Sequence, residues 1–179
     1  MKINIDENIT LELIAAQHAT GLYAVIEGNR THFAEFLAWG DNAESLENFN
    51  NYIRNCELQY QQGNDINFVI LLDEKPVGKM GLHYINTYNK SAEIGYWLGK
   101  KEEGKGIITK SCKGLISYGF TELGLNRIEI KAAESNVRSL AIPKKLNFTK
   151  EGILRQADLV NGKFLDLVLY SMLNEEWKS

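Results

Sequence analysis

The sequence is poor in cysteine and has no metal-binding pattern. Its two cysteines, Cys56 and Cys112, lie within helical patterns and form no CxxC or Cys/His pair, which argues against a disulfide framework or a structural zinc site. We interpret both as small core residues. The three histidines are dispersed, at His18, His32 and His83, and we predict no metal.

Long apolar runs and an excess of positive charge are also missing. No stretch approaches the 18 apolar residues of a membrane span, and the opening MKINIDENIT has no apolar signal region. The formal net charge of −3 disfavours nucleic-acid binding, because phosphate contacts require clustered Lys and Arg. These absences predict a cytoplasmic protein that binds neither membrane nor nucleic acid.

The first third of the chain predicts one strand and then helices. Residues 9–14 alternate as a strand, and residues 15–27 have a helical pattern that stops at Gly28. Asp41 and Glu44 predict a capping box for a further helix, whose apolar positions recur at helical spacing. Those positions are Leu46, Phe49, Ile53, Cys56 and Tyr60.

The remainder combines a meander, two helices and a hairpin. The predicted strands cover residues 66–72, 77–85, 92–98, 127–133, 148–157 and 163–173, and the predicted helices begin at Gly104 and Asn136. Asn161-Gly162 is a strong two-residue hairpin signal. No linker or repeat interrupts the order, so residues 1–179 are predicted to form a single α+β domain with a mixed sheet.

The most informative segment is GKKEEGKGIIT, residues 99–109, which follows a strand and opens a helix. Exposed N–H groups and the helix dipole favour an anion at such a junction, and glycines let a phosphate approach closely. A solvated glycine-rich turn is the alternative. A P-loop fits Gly99, Gly104 and Lys105, but Gly106 lacks the hydroxyl that binds magnesium and no Walker-B-like aspartate follows. No GxGxxG fingerprint is present.

Several motifs in a fixed order resemble the GNAT superfamily of N-acetyltransferases, and within it the RimJ/RimL-type branch. They are AEIGYWL, EEGKGIITKSC, NRIEIKAAESNVRS, IPKKLNF, KEGILRQ and NGKFLDLVLYSML. The resemblance implies a mixed, mostly antiparallel twisted sheet with helices on both faces. Its fourth and fifth strands splay apart and leave a cleft for the pantetheine arm of acetyl-CoA.

The resemblance also implies the coenzyme contacts. They would be made by Trp97, Leu98, Gly104, Lys105, Gly106, Ile107, Ile108 and Asn136. A main-chain N–H near Trp97 or Leu98 would bind the thioester oxygen as it gains charge. The chain departs from the family pattern at Glu103, where Gln or Arg is usual, and at Ile108, where the family has a small residue. Glu102 and Glu103 are expected to repel a pyrophosphate, so Lys100, Lys101 and Lys105 must offset them or the pyrophosphate must contact main chain only.

Catalytic roles follow from the same resemblance. The general base would be Asp158, with Glu93 as the alternative. The family's usual tyrosine acid is replaced by Pro143, so Ser139 of the branch's NxxS pattern would protonate the leaving thiolate. Pro143 also lacks the N–H that would donate to the Ser139 carbonyl, which predicts an irregular turn there.

The implied activity is acetyl transfer from acetyl-CoA to a primary amine, in the first place the N-terminal amine of a ribosomal protein. A small-amine acetyltransferase, acting on an aminoglycoside or polyamine, and a catalytically weak acyl-CoA sensor are the alternatives. Trp39, Tyr84 and Tyr88 are candidates for an acceptor groove. Dimers are common in this family, and a homodimer is a further hypothesis.

Overall fold

The computed structural model describes residues 1–37 and 45–178. Eight strands form one sheet: β1 Lys2–Asn4, β2 Ile9–Leu13, β3 Ile66–Leu72, β4 Lys75–Asn86, β5 Ser91–Leu98, β6 Arg127–Ala133, β7 Thr149–Val160 and β8 Lys163–Leu173. Five α-helices accompany it: α1 Ala19–Glu27, α2 Arg30–Ala34, α3 Leu46–Gln61, α4 Ile107–Thr121 and α5 Val137–Lys145. Short 3₁₀ turns cover Ala16–His18, Lys100–Glu102 and Asn174–Glu176.

The strand order is β1-β2-β3-β4-β5-β6-β8-β7, and every neighbouring pair is antiparallel except β5–β6. The β5–β6 ladder has three residue pairs, the last joining Glu93 to Glu129, although both strands continue beyond it. The predicted mixed sheet with one splayed pair is therefore confirmed. The sequence pattern did not predict β1, so the family's strands four and five are β5 and β6 here.

Helices cover both faces of the sheet, as predicted. Successive side chains of a strand point to opposite faces, and β3 shows this clearly because it is buried on both. Its Phe68 and Ile70 belong to the core that contains α4. Val69 and Leu71 pack instead with α1, α2 and α3.

Helix α3 confirms most of the predicted amphipathic face. Phe49, Ile53 and Cys56 are buried, whereas Leu46 and Tyr60 at its ends are more than a third exposed. The helix begins at Leu46, and its N-cap is Ser45, whose hydroxyl oxygen accepts a hydrogen bond from the N–H of Asn48. The capping box predicted at Asp41 and Glu44 lies outside the described residues.

The hairpin and the cysteines agree with their predictions. Asn161 and Gly162 have φ values of 48° and 75°, which suit a two-residue hairpin turn. Cys56 and Cys112 are free and buried, one in each of the two cores. Within residues 1–37 and 45–178, no helix is long and apolar enough to cross a membrane.

Candidate functional site

The loop before α4 exposes main-chain amides. Gly104 and Gly106 both have a φ of 77°, which a helix cannot contain, so α4 begins at Ile107 and the predicted start at Gly104 is wrong. The first α-helical bond runs from the N–H of Lys110 to the carbonyl of Gly106. The N–H groups of Ile107, Ile108 and Thr109 therefore have no α-helical acceptor and are available to an anion.

A cavity of about 540 Å³ opens beside these amides. On one side it is lined by the loop and by α4 and α5, and on the other by α2 and the end of β5. Its lining includes Gly104, Gly106, Ile107, Ile108, Thr109, Tyr96, Trp97, Leu98, Asn136 and Ser139. The structure thus brings together all of the predicted coenzyme contacts except Lys105, which is not among the lining residues.

The end of β5 directs main-chain groups into the cleft. The N–H of Gly99 donates to the carbonyl of Val77 on β4. Because alternate residues of a strand face opposite neighbours, Trp97 also turns its main-chain groups to β4, opposite Lys79. Tyr96 and Leu98 turn theirs to the other side, where β6 has splayed away. Of the two N–H groups that the resemblance offered, those of Trp97 and Leu98, the Leu98 N–H is therefore the one that faces the cleft.

The first turn of α5 fixes Ser139 at the cavity. The side-chain oxygen of Asn136 caps the helix by accepting a hydrogen bond from the Ser139 N–H at 3.1 Å. The helix continues through Pro143, and the Ser139 carbonyl that proline leaves free accepts a hydrogen bond of 3.0 Å from the Tyr96 hydroxyl. Burial raises the pKa of the Tyr96 phenol well above its usual range, so it stays protonated at neutral pH.

Charged side chains bridge the mouth of the cavity. Glu103 lies 3.1 Å from the Nε2 of His32 on α2 and 3.0 Å from the guanidinium of Arg138 on α5. Lys105 is paired with Glu102 at 2.7 Å. The two carboxylates that were expected to repel phosphate are thus each paired with a cationic side chain, Glu102 with Lys105 and Glu103 with Arg138.

The two candidate bases lie elsewhere. Glu93 is bound to Lys131 at 2.7 Å, on the face of the sheet that α1–α3 cover. Asp158 is half-buried in β7, opposite Leu165 and just after an irregularity in the β7–β8 ladder. Neither is among the residues lining the cavity.

Two of the predicted acceptor aromatics are well exposed to solvent. Tyr84 and Tyr88 are 78% and 93% exposed near the β4–β5 turn, and Trp39 lies outside the described residues. Within the part of the chain that is described, no three His, Cys, Asp or Glu side chains form a group that could hold a metal ion.

Among the residues that line the cavity and that sequence reasoning missed are His32, Tyr96 and Arg138. His32 and Arg138 come from helices distant in sequence, and no pattern connects them with the loop. The role of Tyr96 could have been predicted in part. Pro143 has no N–H to donate to the Ser139 carbonyl, so a hydroxyl from a neighbouring element is expected to donate to it instead.

Comparison with known proteins identifies the family. Residues 8–149 match the model of the acetyltransferase (GNAT) domain. The chain is 39% identical over 175 residues to a putative ribosomal N-acetyltransferase, YdaF, of Bacillus subtilis, covering 97% of this chain and 96% of that protein. It is 30% identical over 171 residues to the ribosomal-protein-serine acetyltransferase of Escherichia coli, covering 96% of each.

Solved structures agree with this. The structure of RimL, a ribosomal L7/L12 alpha-N-protein acetyltransferase in complex with coenzyme A, superposes with a TM-score of 0.93 at 25% identity, covering 97% of this chain and 98% of that one. The predicted fold and family are therefore confirmed: this chain belongs to the GNAT family of acetyltransferases.

Proposed function

We propose that this protein transfers the acetyl group of acetyl-CoA to the N-terminal α-amine of a ribosomal protein. The observation that carries the proposal is the junction at Ile107, where free amides open into a cavity beside the end of β5, the part of that strand that no longer pairs with β6. An anion-binding helix start beside unpaired strand edges suits a cofactor with a pyrophosphate and an amide-containing arm.

The residues present fit coenzyme A. The amides of Ile107 to Thr109 would hold the pyrophosphate, and the space beside Gly104 and Gly106 is open, since a Cβ at either would meet nothing within 4 Å. The main-chain groups of Tyr96 and Leu98 would bind the pantetheine arm as a neighbouring strand does. Acetyl-CoA would supply an activated thioester, whose sulfur is a good leaving group.

Two groups at the cavity suit the chemistry of transfer. The Leu98 N–H would donate to the thioester oxygen as charge develops on it, a contribution of typically about 3–4 kcal/mol to the barrier. The Ser139 hydroxyl would donate a proton to the departing thiolate, in a turn that Asn136 and Tyr96 both hold in place. Asp158 and Glu93, the bases that the family resemblance supplies, do not line the cavity, and Glu93 is already bound to Lys131, so they are not assigned the role of base.

The acceptor is proposed from the relatives. Two proteins similar along nearly the whole chain are named as ribosomal-protein acetyltransferases, and no feature of the described residues favours a small amine over a peptide. We place the reaction in the cytoplasm, where ribosomal proteins are made, and propose that residues 1–179 act as one catalytic domain, which can dimerise.

The test follows thiol release from acetyl-CoA with purified protein and a panel of acceptors. Peptides with different free N-terminal residues, the same peptides with blocked N-termini, spermidine and an aminoglycoside form the panel. We expect release with free-N-terminus peptides only, and mass spectrometry should place the added acetyl group on the α-amine. Coenzyme binding without release for any amine would overturn the enzyme function in favour of a sensor, and release with spermidine or the aminoglycoside alone would overturn the acceptor.

A further inference from the structure

A polar row crosses the face of the sheet opposite α4. Neighbouring strands place His83 opposite Glu93, and Glu93 opposite Glu129. Lys79 and Trp97, which are register partners, lie four residues along their strands from His83 and Glu93 and so point to the same face. Trp97 lines the coenzyme cavity and is about 13 Å along β5 from Glu93. Gly95, against which the His83 ring lies, is halfway between them.

The His83 ring is held by a carboxylate. Its Nδ1 lies 2.9 Å from an oxygen of Asp65, and the other oxygen of Asp65 accepts a hydrogen bond from the Tyr84 N–H at 3.0 Å. Because an ionised carboxylate only accepts, Nδ1 must donate. This leaves the lone pair of Nε2 free on the opposite side of the neutral ring. A carboxylate that orients a histidine in this way is a recurring arrangement of general bases.

The ring lies over two glycines that leave room for it. Gly81 and Gly95 face each other across β4 and β5, and a Cβ at either would lie 3.1 Å or 3.3 Å from Nε2. Gly95 immediately precedes Tyr96, at the part of β5 that has lost β6 as a partner. The buried side-chain oxygen of Asn67, which has no hydrogen-bond partner, lies 3.0 Å from the same Gly81 position. Nε2 of His83 and Oδ1 of Asn67 are therefore two acceptors on the same side of Gly81.

The carboxylate across the strand is already engaged. Glu93 accepts from Lys131 at 2.7 Å, and Lys131 also pairs with Glu129 at 3.3 Å. Asp65, His83, Glu93 and Lys131 each keep about a quarter of the side chain exposed, so an amine can reach them. Of these four groups, only His83 has a basic atom, Nε2, without a hydrogen-bond partner among the described residues.

Burial lowers the pKa of His83, and the charge of Lys79 lowers it further, whereas Asp65 and Glu93 act in the opposite direction. The other titratable groups near His83 are Lys79, Tyr52 and Cys56. Lys79 is buried against the ring of Tyr52, and burial lowers its pKa. Their combined effect leaves His83 neutral at pH 7, which is the form that accepts a proton.

We infer that His83, oriented by Asp65, is the general base that deprotonates the acceptor ammonium. Nε2 takes one proton from the ammonium, and the freed nitrogen lone pair forms the C–N bond as the C–S bond of the thioester breaks. The second proton lost by the nitrogen ends on the sulfur, and the proton on His83 passes to solvent. One amide, one thiol and one proton result, so the step balances. The assignment rests on the proposed acetyl transfer.

The test is the pH dependence of kcat/KM in four variants, with acetyl-CoA and an acceptor peptide with a free N-terminus. The wild-type rate should stay high down to below pH 6.5, because the base removes the proton that the amine carries. His83→Gln should lose roughly 10²-fold at pH 7. The acidic limb of its pH profile, where kcat/KM falls as the pH is lowered, should move up to near pH 8. This is the pKa of a free α-amine, and without the base only the neutral amine reacts.

Asp65→Asn is the second variant, and it keeps an oxygen for the Tyr84 N–H. Removing the carboxylate charge should lower the pKa of His83 further and move the acidic limb to lower pH. Asp158→Asn is the comparison and should leave the acidic limb in place, whereas Glu93→Gln should move it slightly to lower pH, because Glu93 also raises the pKa of His83. Coenzyme affinity by calorimetry should be unchanged in His83→Gln.

Three outcomes would overturn the assignment. One is an acidic limb in His83→Gln that coincides with that of the wild type, and another is a limb that moves to the amine pKa in Glu93→Gln or Asp158→Asn instead. If His83→Gln does not fold, Asp65→Asn supplies the third outcome. An acidic limb in Asp65→Asn at the same pH as in the wild type would exclude His83 as the base. Wild-type protein that acetylates no amine would refute the proposed function itself, and with it the base.

Discussion

Ser139 has two neighbours that hold it from opposite sides. Asn136 binds its N–H and Tyr96 binds its carbonyl, so the hydroxyl is presented to the cavity by a turn that cannot easily rotate. This matters because a proton donor is effective only within hydrogen-bond reach of the group that receives the proton. Pro143 makes the arrangement possible by leaving that carbonyl free.

Replacing Ser139 by alanine should therefore lower kcat by about 10²-fold, since the thiolate would leave without a positioned donor. The main-chain bonds to Asn136 and Tyr96 do not use the hydroxyl and should persist. Coenzyme affinity, measured by calorimetry, should change less than about twofold. Ser135→Ala is the matched control, at an exposed serine ahead of the helix cap. Turnover equal to that of the wild type would remove Ser139 from the mechanism.

The residues of the site differ in whether a local sequence pattern can predict them. Gly104 to Ile108 could be found from sequence, because a glycine-rich segment after a strand and before a helix has few other uses. His32 and His83 could not, because their partners Glu103 and Asp65 come from other elements and only the fold brings them together.

At the level of elements, strands were easier to predict than helix starts. β3 and β6 match their predicted ranges because runs of apolar and β-branched residues bounded by turns are typical of strands. α4 begins three residues later than predicted because Gly104 and Gly106 adopt left-handed conformations that composition does not reveal. β1 is three residues long and too short to show a period.

Gly106 is the N-cap of α4 and has a left-handed conformation, so the start of the helix requires a glycine there whether or not a ligand is bound. An alanine there would meet no atoms, yet the conformation itself costs roughly 1 kcal/mol for a residue with a Cβ. Gly106→Ala should lower the melting temperature by about 2–4 °C and weaken coenzyme binding. Gly152→Ala is the control, because its site is equally open and does not require a positive φ. Equal melting temperatures for the two variants would contradict this explanation.

At the level of the whole molecule, one ion pair ties three strands at the far edge of the sheet. Arg127 on β6 binds both oxygens of Glu151 on β7, at 2.6 and 2.8 Å, and Ser171 on β8 donates to the same carboxylate. The hydrogen bonds from Arg127, and then from Ser171, lower the pKa of Glu151 from about 4.5 to about 2. Since the carboxylate is a little over a third exposed, the pair should contribute less than about 1 kcal/mol.

The pH dependence follows from the sign of that shift. A lowered pKa in the folded state adds stability above pH 4.5, and this stability is lost as the pH falls toward 2. Glu151→Gln should therefore be less stable than wild type at pH 7, by denaturant titration, and the difference should vanish near pH 2. Glu175→Gln, at an exposed glutamate, should show no such trend. A difference that is the same at both pH values would rule out the pairing as its cause.

The three-pair ladder between β5 and β6 has a mechanical consequence. Strands β1–β5 and strands β6–β8 are joined across the sheet by this one short seam, so three residue pairs carry the main-chain pairing between the two halves. A coenzyme arm that pairs with Tyr96 and Leu98 while its pyrophosphate rests on α4 would bridge the two sides. Loading the donor would thereby stiffen the framework against which the acceptor must be aligned.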